Sequence, residues 1–403
     1  MKTRIRVLYV IQGIMPTGPG RHLYKLLAHR DRAKVDARVF AFDQCDPAMM
    51  KSLEHDFGVQ WQSIGSRFTH PSTYVRGWPK LLKTIDEFQP HIIQTHHTMF
   101  VDWAARLATR VRRVPLNLSR AVTKPKDYHA SRGGVLAYWF HHVGDSLTAG
   151  LVDYYLPNSH DVLNYLRQVD HISQSRLIVI PNGVDTEFFA TSGELRRTGR
   201  AQLGVQEKDL LIVNIGPMKG LKRQNLLVEA ALKLMTEYDS LKVAFVGKTW
   251  GAEDEAYLNK MQQAIEAAGR KASFVFTGEL KDVRPVLAAA DLYVHPSVVE
   301  GSSNAVLEAM AMSQACIVSD LPSCQELVVH EDNGLVVPRD DLPALGLAIK
   351  SLLADAGRRG EMGSRSRELA VGKFSVQRMC ADIEAVYWRG LAEKGLRLSD
   401  NGQ

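Results

Sequence analysis

The chain predicts an α/β protein made of two doubly wound parallel sheets, and three observations predict it. Short apolar runs alternate with helix-length amphipathic segments, which is the pattern of strand–helix–strand crossovers covered on both faces. The alternation restarts once, past a turn-rich break at Ile180-Pro181-Asn182-Gly183-Val184-Asp185. The length, 403 residues, suits two or three domains of about 100–200 residues.

In the first half, Val7-Leu8-Tyr9-Val10-Ile11 reads as a buried strand, followed by a Gly/Pro loop over 13–20 and a helix from Arg21. Further strands are expected at Ala37-Arg38-Val39-Phe40-Ala41-Phe42, His91-Ile92-Ile93-Gln94-Thr95, Leu116-Asn117-Leu118, Tyr154-Tyr155-Leu156 and Leu177-Ile178-Val179-Ile180, with 103–111 helical. The polar stretch 191–198 reads as a surface connection. In the second half, strands are expected at 210–215, 243–246, 274–276, 292–294 and 315–318, with 226–235 helical between the first two. They end on Gly216, Gly247, Gly278, His295-Pro296 and Ser319-Asp320. Ligands of such sheets bind beyond the carboxyl ends of the strands, so the second half should hold its ligand there.

A hydrophobic fraction of 45% and a charged fraction of 23% are ordinary for a soluble globular protein, so either half could bury a full core. The formal charge of +6 favours anionic partners such as phosphates, nucleotides or acidic headgroups, or else reflects a solvated basic face; nothing points to nucleic acid. Cys45, Cys316, Cys324 and Cys380 are scattered, without the spacing of a disulfide framework or zinc site, which fits a reducing compartment. The segment Met1-Lys2-Thr3-Arg4-Ile5-Arg6 leads straight into a strand and has no signal core. The longest apolar-looking stretch, 133–156, contains His141, His142, Asp145 and Asp153 and makes a poor membrane span. A cytoplasmic location is expected, with peripheral attachment to the inner face of the membrane as the alternative.

The strongest chemical signal is His295-Pro296-Ser297-Val298-Val299-Glu300-Gly301-Ser302-Ser303-Asn304-Ala305-Val306-Leu307-Glu308. Two glutamates frame a small, polar loop that lies between a strand end and a helix expected over 305–312. Ser303 or Asn304 is the candidate N-cap. A helix N-terminus offers unpaired N–H groups and roughly half a positive charge. The small residues Gly301, Ser302 and Ser303 let a diphosphate approach those groups. Glu308, just over one turn in, is placed to accept from a ribose diol, and Glu300 to meet a sugar's hydroxyls. Paired glutamates at this spacing also occur by chance on ordinary helices; the strand end and the loop set this pair apart.

Glu-x7-Glu after a Pro-Ser strand end resembles the donor signature of retaining GT-B glycosyltransferases of family 4, the group of glycogen synthase, sucrose synthase and many mannosyltransferases. Ile180-Pro181-Asn182-Gly183-Val184-Asp185-Thr186-Glu187-Phe188-Phe189 resembles the family's interdomain segment. The stretch 216–231 resembles its first C-domain loop and helix, and Phe276-Thr277-Gly278 and Asn333-Gly334-Leu335-Val336 also match. The likeness covers nearly all of the second half and is looser in the first. It implies the GT-B fold, two Rossmann-like doubly wound domains facing across a cleft. On that basis 1–181 is an acceptor-side domain, 182–373 binds a nucleotide-sugar, and 374–403 is a C-terminal helix crossing back to the first domain.

The resemblance also implies roles. Lys222 matches the lysine that holds the donor diphosphate; its other reading is a solvated lysine at a helix start. Glu300, Gly301, Ser302, Ser303, Asn304 and Glu308, with Gly216, Gly247 and Gly278, form the donor side. The arginine usual after the first C-domain strand is replaced by Pro217, and Lys219, Arg223 or Lys248 would substitute, Lys219 first. Gly18-Pro19-Gly20-Arg21 stands where the family has a Gly-rich loop, so Gly20 either places amides near the donor phosphate or serves a simple turn. The cleft histidine of many members is absent, because its place reads Ser119-Arg120-Ala121-Val122. Arg120, or His96 and His97 at the preceding strand end, would act in its stead, His97 as the catalytic candidate and His96 and Arg120 on the acceptor side. Arg106, Arg110, Arg112 and Arg113, followed by Arg120, Lys124, Lys126 and Arg132, form either a solvated helix face or a patch for an anionic membrane or lipid-linked acceptor. The aromatics Tyr138, Trp139 and Phe140 fit a core better than a membrane contact.

The expected reaction is transfer of a sugar, with retention, from a nucleotide diphosphate sugar to a glycan, lipid-linked or small-molecule acceptor in cell-envelope polysaccharide or glycolipid synthesis. A UDP-sugar is favoured and a GDP-sugar is second. No cofactor is expected beyond this co-substrate. No Asp-x-Asp sits at a strand end and Glu253-Asp254-Glu255 reads as a solvated helix start, so a metal is not expected. The rival readings are a non-hydrolysing nucleotide-sugar 2-epimerase and a non-catalytic sugar-nucleotide-binding subunit.

Overall fold

A computed structural model describes residues 4–15, 18–66, 71–96, 99–121 and 142–396. The chain forms two compact units. The first contains residues 1–183 and 376–403, the second 184–375.

In the first unit the strands are β1 (Ile5–Ile11), β2 (Val35–Asp43), β3 (Gln60–Ser66), β4 (Ile92–Thr95), β5 (Leu116–Ala121) and β6 (Tyr154–Pro157). They pair in parallel in the order β3-β2-β1-β4-β5-β6. The described helices include α1 (Gly18–His29), α2 (Pro47–His55), α3 (Pro71–Phe88), α4 (Met99–Arg112) and α5 (His160–Gln168). The near-continuous apolar run of β1 follows from burial on both faces. Val7, Tyr9 and Ile11 join one core, and Leu8 and Val10 the other.

The second unit repeats the winding. Its strands β7 (Leu210–Ile215), β8 (Leu241–Val246), β9 (Phe274–Phe276), β10 (Leu292–His295), β11 (Cys316–Ser319) and β12 (Gly334–Val337) pair in parallel in the order β12-β11-β10-β7-β8-β9. Its helices are α6 (Gly193–Leu203), α7 (Gln224–Leu234), α8 (Ala252–Ala267), α9 (Arg284–Ala289), α10 (Asn304–Ala311), α11 (Pro322–Gln325), α12 (Leu342–Ala354) and α13 (Ala356–Lys373). The strand order reverses between β7 and β10, which is the crevice where doubly wound sheets receive ligands.

The last helix, α14 (Val376–Glu393), belongs to the first unit. Met379, Cys380, Ile383, Val386, Tyr387 and Leu391 enter the core shared with β1, β2, β5 and α1. The Tyr387 hydroxyl donates to Gln94 Oε1 at 2.5 Å and lies 3.0 Å from the Tyr9 hydroxyl, which ties this helix to β4 and β1.

Several expectations change. Leu177-Ile178-Val179-Ile180 is not a strand of the sheet. It runs beside β6 through one bridge at Leu177 and through N–H bonds from Ile178 and Ile180 to Tyr155 and Pro157. The edge strand β3 was not expected. The stretch 191–198 is mostly the first half of α6, whose N-cap Ser192 accepts from the Leu195 N–H at 3.1 Å. Its polarity reflects use, since Arg196 and Arg200 reach Asp291 at 3.1 and 2.8 Å.

The glycines ending β7, β8 and β9 are stitched in a row. The Gly216 N–H donates to Val246 O and the Gly247 N–H to Gly278 O, both at 2.9 Å. A Cβ on Gly247 would stand 1.9 Å from Gly216 O, at a φ of +150° that L-residues rarely adopt. Gly247→Ala is therefore expected to destabilise the second unit by about 2–3 kcal/mol, read as a lowered melting temperature. An unchanged melt would mean that this row of strand ends yields without cost.

Candidate active site

The site in the second unit is built on the two strands that flank the switch in winding. After β10 the chain crosses the small loop 296–303 and enters α10 at Asn304. Ser303 is the N-cap, its Oγ accepting from the Val306 N–H at 3.4 Å. After β7 the chain makes one 3-10 turn, Gly220–Lys222, before α7. The two loops are tied together, since Leu221 O accepts from the Val298 N–H at 3.0 Å and from Ser297 Oγ at 3.1 Å. The Glu300 carbonyl is fixed by Ser323 Oγ at 2.9 Å.

These ties bring Lys222, Glu300 and His295 to one point. Lys222 Nζ lies 2.5 Å from Glu300 Oε1, and His295 Nε2 lies 2.6 Å from the same oxygen. Ser303 Oγ and the Tyr293 hydroxyl, each 3.4 Å from a His295 nitrogen, orient the ring. Burial raises the Glu300 pKa, but Lys222 and then His295 outweigh it and hold the carboxyl far below the usual carboxylate range. Glu300 is therefore ionised, and its charge is met by Lys222. Ser303, the N-cap of α10, lies 3.4 Å from the histidine that meets Glu300, so a lysine and a helix N-terminus can face one anionic ligand.

Glu308 lies four residues after Asn304, on the same side of α10 and one turn deeper, and is buried. Gly301, Ser302 and Asn304 are partly exposed. Gly216 has open space where a Cβ would be, and Gly278 adopts a φ of +70°. Of the cations weighed against Pro217, Arg223 is held by Asp340 at 2.6 Å and Lys248 by Glu279, while Lys219 is the extended residue before the 3-10 turn.

In the first unit the candidate residues lie deep. Gly20 lies inside α1, and a Cβ there would meet Met15 O at 2.1 Å, so the backbone packs closely at this position. His96 is fully buried with Nε2 3.3 Å from His22 Nδ1. Burial, helped by Arg120, lowers the His96 pKa to about 3 and that of His22 well below the usual histidine range. Burial thus favours the neutral form of both rings. Arg120 is also fully buried. It donates to Leu156 O at 3.2 Å and Asn182 Oδ1 at 3.1 Å, and burial lowers its pKa to about 9. Both acceptor-side candidates, His96 and Arg120, have buried side chains. His97 lies outside the described residues, as do Lys124, Lys126, Arg132, Tyr138, Trp139 and Phe140.

The basic cluster is likewise redistributed. Arg106 is buried and paired with Asp145 at 2.8 Å and Asp102 at 3.9 Å, and Arg112 is held by Asp86 at 2.7 Å. Arg110 and Arg113 remain exposed. Among the described residues no helix is long and apolar enough to cross a membrane, and no group of three His, Cys, Asp or Glu is placed to hold a metal ion.

Sequence reasoning assigned no role to His295 or His22. The signal for His295 was present, a polar residue at the carboxyl end of a buried strand five positions before Glu300. His22 carried no comparable signal.

The family model described as Glycosyltransferase Family 4 matches residues 16–188, and the one described as Glycosyl transferases group 1 matches residues 196–369. A lipopolysaccharide core biosynthesis mannosyltransferase, LpcC, of Rhizobium leguminosarum bv. viciae is 31% identical over 52% of this chain and 58% of its own. A glycosyltransferase named EpsD of Bacillus subtilis is 26% identical over 76% of this chain and 79% of its own. The match thus spans less than two thirds of the first relative and more of the second. Anabaena Alr3699/HepE, solved in complex with UDP, superposes with a TM-score of 0.81 at 20% identity, over 96% of this chain and all of that one. The winding of both sheets is that of the GT-B fold, and the chain belongs to the group 1, family 4 glycosyltransferases.

Proposed function

We propose that this chain transfers a sugar, with retention, from a nucleoside diphosphate donor to a glycan, lipid-linked or small-molecule acceptor in envelope polysaccharide or glycolipid synthesis. The observation that carries the reading is the meeting of Lys222 Nζ, Glu300 and the start of α10 at the switch point of the second sheet. A UDP-sugar is the favoured donor, supported by the UDP in Alr3699/HepE, and a GDP-sugar is second. The envelope assignment is supported by the lipopolysaccharide core enzyme among the relatives.

The donor's diphosphate lies against the N–H groups of 301–304 and Lys222, its ribose diol donates to Glu308, and its sugar hydroxyls donate to Glu300. In the transfer, the bond from the anomeric carbon to the diphosphate oxygen breaks and the acceptor oxygen bonds to that carbon on the same face. The acceptor proton passes to the departing phosphate oxygen, so no protein nucleophile is needed. Lys222 and the α10 amides meet the charge that gathers on the leaving group, and binding holds the acceptor oxygen and the leaving group together on one face of the anomeric carbon. The acceptor is assigned to the first unit.

Thermal melts with UDP-, GDP- and other nucleotide sugars, followed by donor turnover with and without acceptor extract, test this reading. One donor is expected to raise the melting temperature and to be consumed only with acceptor present. Because Lys222 supplies the cation, turnover is expected to persist in excess EDTA. Donor converted to a new nucleotide-sugar without acceptor would contradict the transfer.

A further inference from the structure

We propose that Trp250 is a stacking shelf for the donor's nucleobase, held in place by Lys248. This rests on the reading of the nucleotide site in the second unit. Trp250 follows β8 and is 51% exposed, an unusual state for the largest apolar side chain. Its position is nevertheless fixed. Its backbone N–H donates to Asp254 Oδ2 at 3.0 Å, which anchors the loop to the start of α8. Lys248 Nζ lies 4.4 Å from the ring centroid, and the same ammonium is paired with the Glu279 carboxylate at the end of β9. One face of the indole is thus backed by a cation that is itself held, and half of the side chain's surface remains open.

The loop lies where a base would reach. Lys248 O accepts from the Met218 N–H at 3.1 Å, so it is bonded to the loop that leads to Lys222. β8 and β9 are the strands next to β7 on the side away from β10. With strands about 4.8 Å apart, their carboxyl ends lie about 5 and 10 Å from the end of β7. A diphosphate held at Lys222 and α10 therefore leaves its nucleoside free to extend along this edge. An aromatic face accepts any base, so Trp250 supplies affinity. The Lys248–Glu279 pair, one donor group and one acceptor group, lies beside it to meet the base edge.

The test measures binding of UDP, GDP and inorganic pyrophosphate by calorimetry to wild type, Trp250→Ala and Trp250→Phe. Trp250→Ala is expected to weaken the preferred nucleotide about 10-fold or more and to leave pyrophosphate unchanged, while Trp250→Phe retains most of the affinity. The shelf is overturned if Trp250→Ala binds the nucleotide like wild type, or if it loses pyrophosphate to the same extent. Wild-type protein that binds neither UDP nor GDP overturns the nucleotide-site reading, and the shelf with it.

Discussion

Replacing Lys222 by methionine is expected to lower kcat about 10²–10³-fold, the cost of removing one preorganised group that stabilises developing charge. Lys222 is partly buried on a turn bonded to the loop of Glu300, and its ammonium is fixed 2.5 Å from a carboxylate oxygen. An anionic diphosphate entering beside Glu300 meets this cation without having to gather it from solvent. The same substitution leaves the Glu300 carboxylate buried with His295 as its remaining close partner, so a loss of stability must be told apart from a loss of chemistry. Lys222→Met combined with Glu300→Gln removes both charges and should melt close to wild type while staying inactive.

The pH dependence checks the pair without any substrate. The Glu300 pKa is lowered in the folded state from the ordinary 4.5. Its contribution to stability is therefore whole above that value and is lost as pH falls through the folded pKa. In Lys222→Met the main cause of the lowering is gone, so the contribution should be smaller and its loss complete at a higher pH. Melting curves between about pH 3 and pH 7 that run parallel for wild type and variant would show that Lys222 does not pair with Glu300 in solution. A kcat within 10-fold of wild type at matched stability would remove Lys222 from the leaving group.

Much of the second unit was legible because its strands are apolar on both faces and end on glycine, proline or serine. The loop 296–303 was legible too, because a small polar segment between a buried strand and an apolar helix has few other uses. Where sequence reasoning failed, the missing information was long-range or polar. β3 contains Gln60, Gln62, Ser63 and Ser66 and has an alternation too weak to mark an edge strand. Arg106 reads as one of four surface arginines until Asp145, distant in sequence, is placed against it. The partner of Lys222 is 78 residues away and that of His96 is 74. Period and propensity carry no information about such pairs, because they are set by which strand ends the winding makes neighbours. The burial of His96 and Arg120 was not legible for the same reason. A strand's carboxyl end is visible in sequence, but the depth at which its side chain sits depends on the helices packed above it, here α1 and α14.

Glu300→Ala and Glu308→Ala should separate the sugar from the nucleotide. Glu300 is assigned to the sugar's hydroxyls, and a hydrogen bond to a charged group contributes about 1.5–3 kcal/mol. Its loss should lower kcat/KM about 10–100-fold. Plain UDP or GDP should bind Glu300→Ala at least as well as wild type, because Lys222 no longer has an internal anion with which the diphosphate must compete. Glu308 has the opposite profile. As the acceptor for the ribose diol it touches the part shared by nucleotide and nucleotide-sugar, so Glu308→Ala should weaken both about 10–100-fold and leave pyrophosphate unaffected. Calorimetry with UDP, the UDP-sugar and pyrophosphate on the two variants reads out all of this. If Glu300→Ala weakens plain nucleotide as much as Glu308→Ala does, the carboxylate beside Lys222 is part of the nucleotide cradle and the division of the two glutamates is wrong. If Glu308→Ala binds nucleotide like wild type, the ribose does not lie along α10, and the diphosphate must enter the switch point from another direction.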